Sequence, residues 1–187
     1  MNKPKNKIPL FKVFMSPTAK KRVGEVLDSG YIGQGPKVEL FEDQLKDYLW
    51  NKNLFTTNSG TSALHLALHL LKKPNKDYLD DEYQGLIFTN PNWPGIEDGD
   101  EVLATPMTCT ATNWPILANN LKIKWVDIDP STLNMDLDDL ERKITPNTKM
   151  IYLVHWGGYP VDLRRVKDIQ NNTERLYGFK PVVMEDC

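Results

Sequence analysis

Small hydroxyl and glycine residues stand directly before an apolar run in the stretch TNSGTSALHLAL, residues 57–68. The apolar run favours a buried helix, and the N-terminus of a helix offers unpaired N–H groups and a partial positive charge to a phosphate. Gly60 would let the backbone approach the anion closely, while Thr61 and Ser62 add hydroxyl donors. An alternative is that Ser59 or Thr61 simply caps the helix, because both residue types are common caps.

The class of phosphate ligand is narrowed by two signatures that this stretch lacks. No Gly-Lys-Ser/Thr follows it, so the sequence does not match the loop that binds nucleoside triphosphates. The glycine fingerprint of dinucleotide-binding folds is missing as well. We therefore expect a phosphorylated cofactor or a phosphorylated sugar at this helix start.

Two carboxylates, Glu185 and Asp186, end the strand-like run KPVVMED. A carboxylate at the end of a buried strand needs a partner, because an unpaired buried charge is costly. A protonated ring nitrogen is one suitable partner, and pyridoxal phosphate (PLP) combines such a nitrogen with a phosphate group. The two carboxylates could instead bind a metal ion or cap the sheet, and their position in the sequence does not decide between these roles.

Strand-like and helical patterns alternate along the chain. Strands are predicted at residues 54–57, 85–89, 101–106, 122–129, 149–156 and 180–186. Helices are predicted at residues 16–29 (with Ser16 as the cap and Pro17 at the first position), 36–50, about 60–72, 110–119, 137–143 and 163–171. The alternation predicts an α/β fold with a mainly parallel sheet and helices on both faces. Apolar residues cover most of the third helix, which is therefore expected to lie inside a layered protein.

The candidate chemical groups follow the predicted strands. Ligands of parallel sheets gather outside the carboxyl ends of the strands, where the loops enter the helices. Four groups occupy such positions, namely residues 60–62, residues 107–112, His155 with Trp156, and Glu185 with Asp186. Because all four groups are expected at the carboxyl-end edge of the sheet, we predict a ligand site at this edge.

Composition limits the classes of partner and compartment. The 187 residues include 23 basic and 25 acidic side chains, a net charge of -2 that gives no drive towards nucleic acid. Cys109 and Cys187 have neither zinc-site nor disulfide spacing, which favours a reducing compartment. The N-terminus lacks the apolar core of a signal peptide, and no run approaches the roughly 18 apolar residues of a membrane span. We expect a soluble cytoplasmic protein that binds no membrane.

Six blocks together resemble one family. GYIGQGPKVELFE, SGTSALHLAL, GDEVLATPMTCTATNWPI, WVDIDPSTLNMD, VHWGGYPVDL and VVMEDC occur in the order and register of the DegT/DnrJ/EryC1/StrS family of PLP-dependent sugar aminotransferases. The resemblance runs from about Phe11 and omits residues 73–98, which are rich in Pro, Asn, Asp and Tyr and predict a surface insertion. It implies the aspartate-aminotransferase (type I) fold, a homodimer, and transfer of an amino group from glutamate to a keto group on a nucleotide-linked sugar.

The resemblance also implies roles for individual residues. Thr61 and Ser62 would hold the cofactor phosphate, with Gly60 permitting the close approach. Asp186 matches the aspartate that pairs with the pyridine nitrogen, which keeps the ring protonated so that it can accept electrons from the substrate.

Three further positions of the match are informative, and two of them, Cys109 and Trp114, depart from the family. Cys109 occupies the place where relatives stack an aromatic side chain on the ring, and its thiol could cover that ring face instead. His155 matches the histidine of the family's VH block and is a candidate cofactor contact or a structural histidine that closes a strand. Trp114 stands where many members have Asn in their ATxN stretch.

The same resemblance implies that the catalytic machinery is incomplete. Residues 1–35 would be an N-terminal arm, a first helix and an active-site loop, and residues 36–187 part of the PLP-binding large domain, without the rest of that domain or the small domain. The lysine that forms the Schiff base would lie beyond Cys187, so the catalytic residue is unknown and the chain is expected to be an N-terminal fragment, inactive alone.

Two alternatives to an aminotransferase remain open. Some relatives carry a histidine in place of that lysine and dehydrate the sugar. The chain could also be a non-catalytic remnant that binds PLP or another phosphate, or regulates a partner.

Overall fold

The computed structural model describes residues 12–73 and 95–187, which divide into two compact units between Thr56 and Thr57. The first unit contains helices α1 (Ala19–Ser29) and α2 (Pro36–Leu49). Pro36 stands at the start of α2, where its missing N–H costs nothing. The side chain of Glu42 on α2 accepts hydrogen bonds of 2.8 Å from both the amide and the hydroxyl of Thr56. These bonds lower the pKa of Glu42 and tie the end of the unit to its second helix.

Two predictions for this segment are wrong. The first helix begins at Ala19 with Thr18 as its N-cap, and Ser16 contributes its backbone oxygen to the amide of Ala19 without capping the helix. Residues 54–57 do not form a strand, because the amide of Thr56 bonds to the side chain of Glu42, which leaves it unavailable to a neighbouring strand.

The described residues of the second unit form a four-stranded, all-parallel sheet. Its strands are β1 (Glu101–Ala104), β2 (Lys122–Trp125), β3 (Thr148–Val154) and β4 (Val182–Asp186), in the spatial order β2-β1-β3-β4. Its helices are α3 (Gly60–Leu70), α4 (Thr110–Ala118), α5 (Leu137–Lys143) and α6 (Leu163–Tyr177). The predicted α/β class and parallel sheet are confirmed.

Each face of the sheet has its own apolar core. On one face, Leu68 of α3 and Ile116 of α4 pack with Val102 and Tyr152 of the sheet. On the other, the core is formed by strand, loop and helix residues, which include Leu140 of α5 and Val166 and Ile169 of α6. The prediction of helices on both faces is therefore confirmed. The helix that follows β1, α4, packs on one face of the sheet, and the helix that follows β3, α6, packs on the other. Between two such neighbouring strands a parallel sheet opens a crevice in which ligands bind.

Several boundaries differ from the predicted ones. β1 ends at Ala104 because Pro106 has no amide to donate, and β4 begins after Pro181 for the same reason. β2 ends at Trp125, since Asp127 turns away to bond with Asp136 and Asp139. α6 continues six residues beyond the predicted 171, and its buried face extends to Thr173.

The third helix is shorter and more exposed than predicted. α3 stops at Leu70, before Lys72, and only Leu68 of that helix is buried, while Leu66 and Leu70 are 46% and 58% exposed. The expectation that α3 lies fully inside the protein is thus wrong for these residues. The predicted strand at residues 85–89 lies outside the described residues.

The two described ends of the predicted insertion are held together. The amide of Lys73 donates to the oxygen of Ile96 at 2.9 Å, and the amide of Ile96 donates to Leu71 at 3.0 Å. Gly95 has φ +81°, and a Cβ there would lie 2.9 Å from the Cα of Lys73, so only glycine fits this approach. Ion pairs join Lys72 to Asp98 and Lys73 to Glu97.

We predict that replacing residues 74–94 by Gly-Ser-Gly leaves the fold intact, because Lys73 and Gly95 already lie close enough for a short connection. Urea unfolding followed by circular dichroism should give a midpoint close to that of the parent chain. The control deletion extends through Ile96, which is fully buried, and should lower the midpoint strongly. Loss of cooperative unfolding in the first deletion alone would contradict the prediction.

Asp139 connects α5 to the end of β2. Its carboxylate accepts a 2.8 Å bond from the amide of Asp127 and pairs with Lys143 and Arg142 at 2.7 and 3.0 Å. The amide of Asp127 and these cations lower the pKa of Asp139 to about 2. The side chain is only 9% exposed, so solvent screens these interactions weakly.

We predict that Asp139→Asn lowers the free energy of unfolding at pH 7 by on the order of 2 kcal/mol. The folded pKa lies below the unfolded value of about 3.9, so this contribution is present above about pH 4 and is lost as the pH falls towards about 2. Urea unfolding across this range should show the difference between variant and parent narrowing. Asp138→Asn, at a side chain that is 79% exposed, is the control. A difference in the free energy of unfolding between variant and parent that does not change with pH would refute the lowered pKa of Asp139.

Candidate functional site

The carboxylate of Asp186 lies at the end of β4 and is bound by α4. The hydroxyl of Thr112 donates to its Oδ2 at 2.6 Å, a short distance typical of a charge-assisted bond. Thr112 is 3% exposed, and its hydroxyl lies 3.0 Å from that of Thr108. The first turn of α4 therefore orients one oxygen of Asp186 and leaves the other without a bond among the described residues.

Tyr152 lies on β3 in the core between the sheet and helices α3 and α4. Its side chain is 1% exposed, and its hydroxyl has no hydrogen-bond partner within the described residues. Burial raises the pKa of Tyr152, and the charge of Asp186 raises it further. The phenol is therefore neutral at physiological pH, and its hydroxyl is a buried donor without a partner among the described residues.

The ring of His155 has both nitrogens engaged. The amide of Val161 donates to Nδ1 at 3.0 Å, and Nε2 lies 2.8 Å from Oε2 of Glu185. Because a backbone amide can only donate, Nδ1 carries no proton and Nε2–H donates to Glu185. The amide of His155 also donates to the backbone oxygen of Asp186 at 3.2 Å. His155 thus fixes the last two residues of β4 and has only its ring faces free to meet a ligand.

The start of α3 is capped by Ser59. Its hydroxyl accepts from the amide of Ser62 at 3.1 Å and lies 2.9 Å from the Ser62 hydroxyl. Ser59 is therefore the N-cap of α3, as the capping alternative predicted. The structure assigns no acceptor among residues 12–73 and 95–187 to the amides of Gly60 and Thr61. A Cβ at Gly60 would meet nothing within 4 Å, which leaves the approach to these amides open.

Cys109 is the N-cap of α4, one turn before Thr112, and its thiol is exposed and free. Helix α4 packs against α3, where the rings of Trp114 and His65 meet edge to face with centroids 5.7 Å apart. Trp114, at the position where many family members have Asn, is therefore a contact between helices.

The structure brings some of the predicted site residues together. Thr112 joins α4 to Asp186, and His155 joins β3 to Glu185 and Asp186. No direct bond among the described residues links the start of α3 to Asp186. Sequence reasoning did not single out Thr112 or Tyr152, because a polar residue in a helix turn or an aromatic residue in a strand gives no signal until its distant neighbour is known.

The donor set fits PLP better than a metal ion. An anionic oxygen at the end of β4 suits a protonated ring nitrogen, and free amides at a helix start suit a phosphate. Within the described ranges there is no cluster of three or more His, Cys, Asp or Glu side chains that could hold a metal ion. The metal role left open for Glu185 and Asp186 therefore has no ligand set in this part of the chain.

Each helix in the described part of the chain is too short or too polar to cross a lipid bilayer.

We predict that Tyr152→Phe leaves stability unchanged or raises it by about 1 kcal/mol, because the change removes a buried hydroxyl that has no partner. Urea unfolding of the 187-residue chain measures this difference. Thr112→Val is the comparison, since it removes a buried hydroxyl that does have a partner and should destabilise the chain. A loss above about 1 kcal/mol in Tyr152→Phe would mean that the hydroxyl is satisfied, for instance by a buried water.

Three curated relatives are similar to this chain. It is 32% identical over 152 residues to the spore coat polysaccharide biosynthesis protein SpsC of Bacillus subtilis, covering 81% of this chain and 33% of the relative. It is 32% identical to the 3-oxo-glucose-6-phosphate:glutamate aminotransferase of the same organism, with coverages of 87% and 30%. It is 30% identical to the dTDP-4-dehydro-2,3,6-trideoxy-D-glucose 4-aminotransferase of Saccharopolyspora spinosa, with coverages of 78% and 32%. The chain thus spans about a third of these relatives' length.

Solved structures share the fold. AtS13 from Actinomadura melliaura superposes with a TM-score of 0.82 at 51% identity, over 99% of this chain and 44% of that one. The sugar aminotransferase CalS13 from Micromonospora echinospora gives a TM-score of 0.80 at 44% identity, over 97% and 43%. A GDP-4-keto-6-deoxymannose-3-dehydratase with a trapped PLP-glutamate geminal diamine gives 0.76 at 25% identity, over 97% and 41%.

The family profile gives the same result from the sequence side. The profile of the DegT/DnrJ/EryC1/StrS aminotransferases matches residues 15–79 and 87–187, so the gap falls inside the predicted insertion. The match covers most of the chain, including α3, α4 and the strand ends that carry His155 and Asp186. The chain belongs to the DegT/DnrJ/EryC1/StrS aminotransferase family.

Proposed function

We propose that this chain is part of a PLP-dependent aminotransferase that transfers an amino group from glutamate to a keto group on a nucleotide-linked sugar. The observation that carries the proposal is the Asp186 carboxylate at the end of β4, held by the 2.6 Å bond from Thr112. The names of the relatives support the chemistry, since they include glutamate, a dTDP-linked sugar and PLP. Because the chain spans about a third of the curated relatives, the activity is proposed for the whole protein.

Asp186 is proposed to bind the ring nitrogen of PLP. Thr112 fixes one carboxylate oxygen, and the other is available to accept the N–H of a protonated pyridine. When bound, the cofactor supplies a pyridinium ring that accepts the electrons left behind when the substrate loses a proton. Asp186 keeps the proton on the ring nitrogen, and Thr112 keeps Asp186 in place.

The start of α3 is proposed to bind the cofactor phosphate. Ser59 already satisfies the amide of Ser62, which leaves the amides of Gly60 and Thr61 for an anion. The hydroxyls of Thr61 and Ser62 add donors, and the helix dipole adds favourable charge. Together with Asp186, these groups would bind the two ends of the cofactor.

Cys109 and His155 are proposed to lie beside the cofactor ring. The thiol of Cys109 is exposed at the N-cap of α4, where it can cover one face of a ring bound by Asp186. Since both nitrogens of His155 are occupied, its contribution is limited to a ring face and to the position of β4.

The reaction also needs a lysine, and we propose that no lysine among residues 1–187 serves. Those with assigned partners are engaged elsewhere, such as Lys124 with Glu101 and Lys143 with Asp139. Lys149 lies near the amino end of β3, the edge opposite Asp186, with its ammonium 4.0 Å from the centre of the Phe179 ring. We therefore propose that residues 1–187 bind the cofactor and are inactive alone.

The substrate class is proposed from the relatives. A dTDP-sugar aminotransferase (30% identical) and an aminotransferase of a phosphorylated sugar (32% identical) are about equally similar to the chain. The nucleotide link is therefore proposed from the resemblance to the family. The dehydratase with the same fold favours a second candidate, sugar dehydration. Retention of the new amino group in the product would separate aminotransfer from dehydration in the whole protein.

We also propose a homodimer in the cytoplasm. Apolar side chains of the first unit support an association, because Val23, Leu27 and Phe41 are 58%, 62% and 53% exposed. No partner other than PLP, glutamate, the sugar substrate and a second copy is proposed.

We predict that the 187-residue chain binds PLP and that Asp186→Asn raises the dissociation constant roughly tenfold or more, since the variant loses the charge that holds the ring proton. Absorbance or quenching of tryptophan fluorescence measures the binding. Asp168→Asn, at an exposed carboxylate of α6, is the matched control and should bind like the parent. Pyridoxal, which lacks the phosphate, should bind more weakly, and combined Thr61→Val and Ser62→Ala substitutions should narrow that difference.

Equal affinity of the parent and Asp186→Asn for PLP would refute the proposed cofactor site. If Asp186→Asn binds both PLP and inorganic phosphate as tightly as the parent does, the result would favour a phosphate-binding remnant. Amino transfer from glutamate by residues 1–187 alone would refute the statement about their lysines.

A further inference from the structure

The carboxamide of Asn134 bridges both ends of one short turn. Asn134 lies in the loop after β2 and is 4% exposed. Its Oδ1 accepts from the amide of Trp156 at 2.9 Å, and its Nδ2 donates to the backbone oxygen of Tyr159 at 3.0 Å. An asparagine satisfies a donor and an acceptor at once, so this side chain fixes the separation of the two turn ends.

The turn that Asn134 holds begins directly after His155. It is the 3-10 turn Trp156–Gly158, closed by a 3.0 Å bond from the amide of Gly158 to the oxygen of His155. Gly158 has φ +80°, a conformation that other L-residues rarely adopt. The chain then reaches Val161, the residue whose amide donates to Nδ1 of His155. The turn therefore brings this amide back to the ring that precedes it.

Asn134 is itself held rigidly. Its amide donates to the hydroxyl of Thr132 at 3.3 Å, and its backbone oxygen accepts from the amide of Asp129 at 2.9 Å. The carboxylate of Asp129 accepts from the amide and hydroxyl of Ser131, and these bonds lower the pKa of Asp129. A buried group with this support can impose its geometry on the turn that it contacts.

We propose that Asn134 is a positioning residue for the cofactor site, an inference that rests on the proposed function of Asp186. Asn134 sets the Trp156–Tyr159 turn, the turn sets the Val161 amide against His155, and His155 aligns the end of β4. His155 does this through Nε2–H to Glu185 and through its amide to the oxygen of Asp186. The path starts beside β2 and ends at the last two residues of β4, and Asn134 acts on the proposed ligand site only through the turn and His155.

The experiment compares two substitutions that disturb the path with matched controls elsewhere. Asn134→Ala removes the bridge, and Asn119→Ala removes another buried carboxamide, one that bonds to Pro115 and His65 on the opposite face. Gly158→Ala strains the turn, and Gly178→Ala strains a positive-φ glycine at the end of α6. A Cβ would meet nothing within 4 Å at Gly158 or at Gly178, so the two glycine variants test backbone conformation alone.

Three measurements are made on the 187-residue chain. The 15N resonances of the His155 ring report which nitrogen carries the proton, and the 13C resonance of the Asp186 carbonyl reports its bond to the His155 amide. We expect the parent to show one tautomer with the proton on Nε2, and Asn134→Ala and Gly158→Ala to show mixed tautomers and a shifted Asp186 signal. The PLP dissociation constant should rise roughly threefold to tenfold in these variants relative to their controls.

The outcomes separate this inference from the proposed function. If the parent chain does not bind PLP, the proposed function fails, while the His155 and Asp186 resonances still decide whether Asn134 positions them. Resonances in Asn134→Ala that match those in Asn119→Ala would overturn the inference. So would altered resonances with a PLP affinity equal to that of the controls, because the path would then end before the ligand. Should Asn134→Ala not fold, Gly158→Ala against Gly178→Ala gives the same decision.

Discussion

The parallel register of β3 with β4 decides which carboxylate meets which partner. Tyr152 pairs with Met184 and Val154 with Asp186, so Asp186 extends on the α3 and α4 side of the sheet, towards Thr112. The side chain of Glu185 points to the other side, where its carboxylate accepts a hydrogen bond from Nε2–H of His155. A slip of one residue would exchange the two carboxylates between faces. The chemistry of the edge thus depends on a backbone pairing whose register is set by the two apolar cores.

The two sides of this edge differ in how completely their polar groups are satisfied. On the α5 and α6 side, His155 has partners for both nitrogens and Asn134 for both ends of its carboxamide. On the α3 and α4 side, the hydroxyl of Tyr152 and the Oδ1 of Asn113 have no partner within the described residues. Since buried polar groups are rarely left unpaired, the unsatisfied side is the one where a ligand or water would complete the network.

Local sequence patterns predicted much of the fold, whereas many contacts of the candidate site could not be predicted from them. Strand and helix order was predictable because apolar periodicity and the Pro and Gly positions are local signals. Residues 54–57 were misassigned because a side chain of α2 takes the amide that a strand would have used. Thr112 and Asp186 are 74 residues apart, so no spacing in the sequence indicates their bond. His155 was identified by its place at a strand end and by resemblance, whereas its tautomer depends on an amide six residues later.

These contacts suggest why the site does not need a cationic side chain beside Asp186. A lysine or arginine there would compete with the pyridine proton for the carboxylate, and the charge of a close pair would be hard to displace. A threonine hydroxyl orients the same oxygen without adding a positive charge. Under the proposed function, Asp186 is then a strong acceptor for a protonated ring, and the helix start of α3 receives a phosphate by amides instead of cations. Both ends of the proposed cofactor would thus be bound by polar groups that are already in position, so little rearrangement is needed when the ligand binds.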